Sequence, residues 1–159
     1  MKAGLEYALT KLHQGENKVA EHLQVMLARH PSDHEVHHVA IDLLRWSREN
    51  VRQLADAAAG YDVQLSAEAG QPSAEEALAR AATVEEVTPL TLLDDVRTLY
   101  LLAAETSLDW EMLAQHAQAA READLLQLSK KRHPQTQRQM KWANTMLKVR
   151  SPQTLASMD

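Results

Sequence analysis

Hydrophobic residues recur along the chain at steps of three and four, the period of an α-helix. The first stripe predicts a helix over residues 5–29, which Pro31 ends. Ser32 and Asp33 are suited to cap a second helix, which Gly60 is expected to end. The apolar stripes are Leu5, Leu9, Leu12, Val19, Leu23 and Met26 in the first helix, and Val36, Val39, Ala40, Leu43, Ser47, Val51, Leu54 and Ala58 in the second.

The helical pattern is interrupted over residues 61–88, which predicts a long connection with a short helix at 74–82. Thr88 and Pro89 suit the first positions of a third helix. Its periodicity continues to about Lys131, so it would be roughly 60 Å long at 1.5 Å per residue.

A third helix of that length exceeds its neighbours, so we expect a break near Thr106 and Ser107. A fourth helix is predicted over residues 135–150, and Pro152 is expected to end it.

The tripeptide Arg29-His30-Pro31, between the first two predicted helices, returns as Arg132-His133-Pro134. Placing residue 29 on residue 132 without a gap also aligns the residues before it. The identical pairs are Leu5 with Leu108, His13 with His116, Ala20 with Ala123, Leu23 with Leu126, and Gln24 with Gln127. We interpret the repeat as an αα-hairpin used twice, over residues 5–60 and 89–151.

Two hairpins joined by residues 61–88 predict an all-α four-helix bundle in one domain, residues 1–159. A connection this long can run the length of a helix and lets the hairpins pack head to tail. Two duplicated αα-hairpins joined by a long crossover resemble the ferritin-like superfamily over most of the chain. For di-iron members, the resemblance implies one Glu on each of helices 1 and 3, and one Glu-x-x-His on each of helices 2 and 4.

Only half of that ligand set has a counterpart here. Glu16 lies on the core stripe of helix 1, and Glu122 lies one step from the equivalent level of helix 3. With the repeat-related His13 and His116, they are candidates for a single divalent ion, with Fe, Mn or Zn admitted by such ligands.

Helix 2 places Ser47 and Asn50 inward where the resemblance implies Glu and His. We therefore expect that Arg150 or Arg52, with the amide of Asn50, neutralises the buried carboxylates, since an unpaired buried charge is costly. The alternatives are the single-ion site and exposure of these carboxylates through a kink or cleft.

A second candidate site is the His-Glu-x-x-His string formed by His34, Glu35 and His38, a pattern found on zinc-binding helices. A helical projection places His38 almost opposite the core stripe of helix 2. We therefore expect these residues to be exposed at a capped helix start, with a surface zinc site as the alternative.

Composition narrows the function classes. The 159 residues include no Cys, which excludes a disulfide framework and thiolate chemistry, and the net charge of −5 argues against a nucleic-acid surface. No apolar run of signal-peptide or membrane-span length is present. We expect a cytoplasmic protein with no membrane partner and no nucleic-acid partner. Phosphate-binding loops and nucleophile motifs are also missing, so we expect a protein that is not an enzyme.

The first part of helix 3 is apolar on every side, and such a helix must be covered all round. We therefore expect a homodimer through this segment, which contains Leu99, Tyr100, Leu101 and Leu102. The functional prediction is a protein without a cofactor that acts through oligomerisation or partner binding. The alternative is a metal-binding bundle with a storage or redox role.

Overall fold

The computed structural model describes residues 2–69 and 87–158. Four α-helices, and no strand, are present in these residues: α1 (Lys2–Arg29), α2 (His34–Ala59), α3 (Pro89–Ala119) and α4 (Ala123–Ala156). The predicted short helix at 74–82 lies outside the described ranges. None of the described helices is long and apolar enough to cross a membrane.

The turn between α1 and α2 forms where Pro31 predicted it. Asp33 caps α2, and its side chain accepts a hydrogen bond from the backbone nitrogen of Val36 at 3.2 Å. Arg150 of α4 donates two further hydrogen bonds to the Asp33 carboxylate, at 2.8 and 3.2 Å. The same carboxylate therefore starts α2 and ties the turn to the last helix.

The end of α2 differs in detail from the prediction that Gly60 stops it. Gly60 keeps right-handed helical geometry, with φ of −64°. Asp62 takes the left-handed conformation instead, with φ of 58°, and the nitrogen of Val63 donates to the carbonyl of Ala58 at 3.0 Å. This bonding pattern terminates a helix by turning the chain back on its last carbonyls.

The predicted break in the third helix is wrong in position. Helix α3 continues through Thr106 and Ser107, and the Thr106 hydroxyl donates to the carbonyl of Leu102 at 2.8 Å within the helix. The chain turns at residues 120–122, where Arg121 has φ of 58° and the nitrogen of Glu122 donates to Ala117 at 2.8 Å. No Gly or Pro marks this turn in the sequence, which is why the pattern missed it.

The second Arg-His-Pro does not form a corner. Pro134 lies inside α4, which runs through both predicted boundaries of the fourth helix, and Pro152 is also inside it. Pro134 and Lys130 are exposed, so the carbonyl that loses its helical donor can bond to water. Since the first tripeptide forms a turn and the second does not, the equivalence of corners on which the duplicated hairpin rested is wrong.

Two apolar clusters show the directions of the helices. The first contains Val19, Ala20, Leu23 and Met26 of α1, Val36, Ala40, Leu43 and Leu44 of α2, Leu92, Val96 and Leu99 of α3, and Ala143 and Met146 of α4. The second contains Leu5, Ala8, Leu9 and Leu12 of α1, Leu54 and Ala58 of α2 with Val63 after it, Trp110, Leu113 and Ala117 of α3, and Leu125 of α4. Helices α1 and α4 therefore run in one direction, and α2 and α3 run in the other.

The connection after α2 must consequently deliver the chain from one end of the bundle to the other. Val63 and Leu65 pack on the second cluster, and Ala69 already packs on the first. Between them, the carbonyl of Ser66 accepts a hydrogen bond from His13 of α1 at 2.8 Å. The described part of the connection therefore follows α1 along the bundle.

Helix α3 is not exposed in the way the dimer prediction assumed. Leu99 lies in the core, and Leu102 is half-buried against it, whereas Tyr100 and Leu101 are exposed. The exposed apolar side of α3 is thus narrower than predicted.

Candidate functional site: a polar layer in the middle of the bundle

Glu16 lies between the two apolar clusters, in the core stripe of α1, and it is fully buried. The other helices also turn buried polar side chains inward at this level. Around Glu16 they supply Ser47 and Asn50 of α2, Trp110 of α3, and Thr136 and Gln139 of α4. A polar layer, defined by these six residues, thus crosses the bundle.

Three hydrogen bonds converge on one carboxylate oxygen of Glu16. Its Oε1 accepts from the indole nitrogen of Trp110 at 2.9 Å, the hydroxyl of Thr136 at 3.2 Å and the amide of Asn50 at 3.3 Å. These donors are uncharged, and they come from α3, α4 and α2. The oxygen therefore joins all four helices at one point without an ion pair.

The remaining acceptors of the layer are in surplus. Gln139 donates to the carbonyl of Leu43 at 3.0 Å and to the hydroxyl of Ser47 at 2.9 Å. Oε1 of Gln139, Oδ1 of Asn50 and Oε2 of Glu16 are buried and have no hydrogen-bond partner within the described part of the chain. The layer therefore contains three buried oxygens that each suit a proton donor or a cation.

Burial raises the pKa of Glu16 above its ordinary value of 4.5, because a charged carboxylate loses its hydration in the core. The hydrogen bonds that it accepts lower its pKa, but they have the smaller effect. A protonated Glu16 has a hydroxyl that can donate to a neighbouring acceptor. The neutral carboxylic acid is thus the form that fits a layer of uncharged donors and surplus acceptors.

Close approach of α1 and α3 occurs beside this layer, at Gly15. A Cβ on Gly15 would stand 2.8 Å from Oγ1 of Thr106 and 3.3 Å from Oδ2 of Asp109. A small pocket of about 20 Å³ lies there, enough for about one water molecule. Burial raises the pKa of Asp109, whereas Lys11 lowers it. A side chain at this point would require Thr106 to shift.

The other predicted ligands of the single-ion site have different partners. Ring nitrogens of His13 contact the carbonyl of Ser66 and the amide of Asn17. Glu122 accepts a hydrogen bond from the hydroxyl of Tyr61 at 2.7 Å. Burial, and to a smaller extent this hydrogen bond, raise the pKa of Tyr61 to about 12. His116 is half-buried near the end of α3. None of these three residues donates a hydrogen bond to Glu16.

The expected arginine partners of Glu16 also bind elsewhere. Arg150 pairs with Asp33, and Arg52 pairs with Glu49 on the surface of α2. The prediction that the amide of Asn50 contacts Glu16 is confirmed.

The His-Glu-x-x-His string lies on the outside of the bundle. His34, Glu35 and His38 are exposed, and Glu35 stands 3.5 Å from Arg150. Across residues 2–69 and 87–158, no group of three or more His, Asp or Glu side chains has an arrangement that could hold a metal ion.

Sequence reasoning missed a second buried carboxylate, Asp95 of α3. Its Oδ1 accepts from Arg29 at 2.7 Å and its Oδ2 from His30 at 2.7 Å, while its backbone carbonyl accepts from His22 at 2.8 Å. Burial lowers the pKa of His22. The signal was available, because Asp95 interrupts the core stripe of α3 beside Val96 just as Glu16 interrupts that of α1.

Both Arg-His-Pro tripeptides thus place their arginine and histidine side chains against other helices. In the second copy, Arg132 lies 3.6 Å from Glu49 of α2, and His133 shares a hydrogen bond of 2.7 Å with Ser107 of α3. Burial lowers the pKa of His133. The tripeptides resemble each other in these cross-helix contacts, although only the first forms a turn.

Comparisons with protein-family models, curated proteins and solved structures find no match to this chain. We therefore infer the role of the polar layer from the chemistry of its side chains. Its donors are neutral, and its one acid is buried without a cationic partner in the described structure. Such a layer fixes the relative positions of four helices, because each buried donor loses its partner if a helix slides.

Proposed function

We propose that the chain is a ferritin-like helical bundle that acts without catalysis, through self-association or partner binding on the outer face of α3. Three exposed apolar side chains on this face carry the proposal. Leu101 is 55% exposed, Leu108 67% and Met112 43%, and they recur at helical spacing on one side of α3. Exposed apolar side chains aligned along one face of a helix often mark an interaction surface.

The ferritin-like assignment is supported by the helix directions and by the spacing of the polar layer. Inward residues of α2 are Ser47 and Asn50, three apart, and those of α4 are Thr136 and Gln139, also three apart. This is the spacing of the Glu-x-x-His pairs in di-iron members of that superfamily. A di-iron group does not fit these residues, because the layer offers one carboxyl group and none of the required histidines.

Self-association can be tested by light scattering. The wild type should have twice the chain mass of 17.8 kDa at tens of micromolar. Leu101→Glu or Leu108→Glu should shift the protein to the monomer, since burying an unpaired charge in the interface costs free energy. Val149→Glu is the matched control, because Val149 is an equally exposed apolar residue on α4, and it should leave the mass unchanged.

A monomeric wild type would contradict self-association. Capture of a defined partner that both stripe variants abolish, and that Val149→Glu retains, would then support the partner-binding form of the proposal.

The second candidate is a divalent-metal-binding bundle with a storage or redox role. It is favoured by the buried oxygens of Glu16, Asn50 and Gln139 that lack a hydrogen-bond partner among the described residues. Carboxylate and carbonyl oxygens suit Mn better than Zn. Metal analysis of protein purified without a His tag decides: stoichiometric metal that is lost in Glu16→Gln would support this candidate, and metal-free protein would exclude it.

A further inference from the structure

The outer face of α3 has a length and a direction that limit how it can be covered. Leu101, Leu108 and Met112 form a stripe on the side of α3 opposite the core residues Leu99, Ala103, Trp110, Leu113 and Ala117, and half-buried Ala104 lies between Leu101 and Leu108. At 1.5 Å per residue, the stripe from residue 101 to residue 112 is about 16 Å long. It is one helix wide, so a second helix laid along it would cover it.

Opposite charges stand at equal distances on either side of Ala104. Arg97 lies seven residues before it and Glu111 seven residues after it, and both are exposed. Each is therefore about 10 Å from Ala104 along the helix axis. Glu111 contacts Gln115 at 3.2 Å and lies 3.9 Å from His133 of α4, so it leans towards α4. A helical projection places Arg97 on the same flank.

Arg97 and Glu111 complement each other across a pair of α3 helices in only one orientation. Exposed Glu105, next to Ala104, lies on the opposite flank, beside Lys11 and Lys18 of α1. In a parallel pair of α3 helices, Arg97 would face Arg97 of the partner subunit, and Glu111 would face Glu111 of the partner subunit. In an antiparallel pair, a two-fold axis at Ala104 brings Arg97 opposite Glu111 of the partner subunit, twice. The axis preserves the flank towards α4, so the two charges of each pair lie on the same side of the interface.

The apolar residues fit the same axis. Ala104 is small, and a small residue at the crossing point lets two helices approach closely. Leu101 would then pack against Leu108 of the partner subunit on each side of the axis. The described part of the connection, residues 61–69, follows α1 and contacts α1 and α2, so it leaves this face of α3 uncovered.

We propose that two copies of this chain pair along the outer faces of α3 as an antiparallel two-fold dimer centred on Ala104. Arg97 of each copy faces Glu111 of the partner subunit. The proposal rests on the self-association form of the proposed function and adds the identity of the partner, the direction of pairing and its register.

Charge reversal tests the pairing. Arg97→Glu and Glu111→Arg should each raise the dimer dissociation constant by about tenfold or more, because each places like charges together at two symmetric positions. The double variant restores opposite charges and should return to within about threefold of the wild type. Arg138→Glu, an exposed change on α4 away from the stripe, is the control for altered net charge.

Cysteine cross-linking tests the register, and the absence of Cys from the chain makes it selective. Ala104→Cys should form a disulfide with itself across the axis, since disulfides need Cα atoms within about 7 Å. Leu101→Cys alone should not, because its two copies would lie about 9 Å apart along the axis. The Leu101→Cys and Leu108→Cys variants, mixed with each other, should cross-link. Leu155→Cys, an exposed position on α4, is the control and should not cross-link.

The outcomes separate the two proposals. A wild-type dimer with rescue by the double charge reversal and cross-linking at Ala104 supports the antiparallel arrangement. A dimer that Leu108→Glu disrupts, but that cross-links through Leu101→Cys alone or shows no rescue, overturns this arrangement and leaves the proposed function standing. A monomeric wild type overturns this dimer and the self-association on which it rests.

Discussion

Glu16 and Asp95 are both buried carboxyl groups in the core stripe of a helix, yet their surroundings are opposite in kind. Glu16 accepts hydrogen bonds from three uncharged donors on three other helices. Asp95 pairs with a guanidinium and an imidazole, those of Arg29 and His30. Burial favours the protonated form of Glu16, whereas the carboxylate of Asp95 is bonded to the guanidinium of Arg29 and the imidazole of His30.

The positions of the two sites explain the difference. Glu16 is in the middle of the bundle, where a charged partner would also have to be fully desolvated. Asp95 lies beside the end of α1, where the Arg29 side chain remains 15% exposed and keeps part of its hydration. A protein can therefore bury an acid centrally if it stays neutral, and near an end if a long cationic side chain reaches it.

The largest effect should come from removing the charge of Asp95. Asp95→Asn should destabilise the fold by about 3 kcal/mol, since it removes the carboxylate charge from a mostly buried ion pair with Arg29. Urea unfolding followed by circular dichroism measures this. Asp94→Asn is the matched control, because Asp94 is exposed on the same turn of α3, and it should change stability by less than about 0.5 kcal/mol.

The Glu16 site should respond to shape and hydrogen bonding rather than to charge. Glu16→Leu should cost about 2–3 kcal/mol, because buried donors such as Trp110 lose their acceptor. Glu16→Gln should cost less than about 1 kcal/mol, since its side-chain oxygen can still accept from Trp110, Thr136 and Asn50. A Gln variant as unstable as the Leu variant, by urea unfolding, would show that the carboxyl charge is needed.

The close approach of α1 and α3 at Gly15, beside Glu16, should contribute to the stability of the fold. Gly15→Ala should destabilise the bundle by about 1–3 kcal/mol, because its Cβ would meet Thr106 at 2.8 Å. Gly4→Ala has nothing within 4 Å of its Cβ and should be neutral or stabilise α1 by up to about 1 kcal/mol. Equal melting temperatures for both variants would mean that Thr106 moves aside without cost.

The pH dependence of stability should identify the protonated form of Glu16. The folded state raises its pKa above 4.5, so its contribution is complete below that pH and is lost as pH rises towards the folded pKa. Glu16→Gln cannot titrate. Its stability relative to the wild type should therefore increase above pH 4.5, by at most about 1.4 kcal/mol per pH unit. A constant difference between pH 4 and pH 8 would contradict a raised pKa.

The smallest effect on stability should come from His22, which bonds to the backbone carbonyl of Asp95, as the pH falls below 6.5. Burial lowers the pKa of His22 from 6.5, so the folded state binds its proton less readily than the unfolded chain does. Its contribution is complete above pH 6.5 and is lost as pH falls. His22→Gln keeps a donor for the Asp95 carbonyl and cannot titrate, so it should lose less stability than the wild type between pH 6.5 and 5. Parallel unfolding curves for the two proteins at both pH values would refute this.

The hydrophobic pattern alone predicted most of the helical residues, because a stripe at three- and four-residue steps is a local property of the chain. It placed the starts of α2 and α3 correctly, since Asp33 and the Thr88-Pro89 pair act within one turn of the helix. It also identified Glu16 as a buried acid and Asn50 as its neighbour, because both interrupt apolar stripes.

Tertiary structure decided the features whose local signal is absent or points the wrong way. Arg121 adopts a left-handed turn that a Gly would favour, and Pro134 stays inside a helix that local preference would end. Packing of α4 on both sides of Pro134 outweighs that preference, which is worth about 3 kcal/mol. The partners of the two acids were decided in the same way, because only the fold brings Trp110 to Glu16 and Arg29 to Asp95.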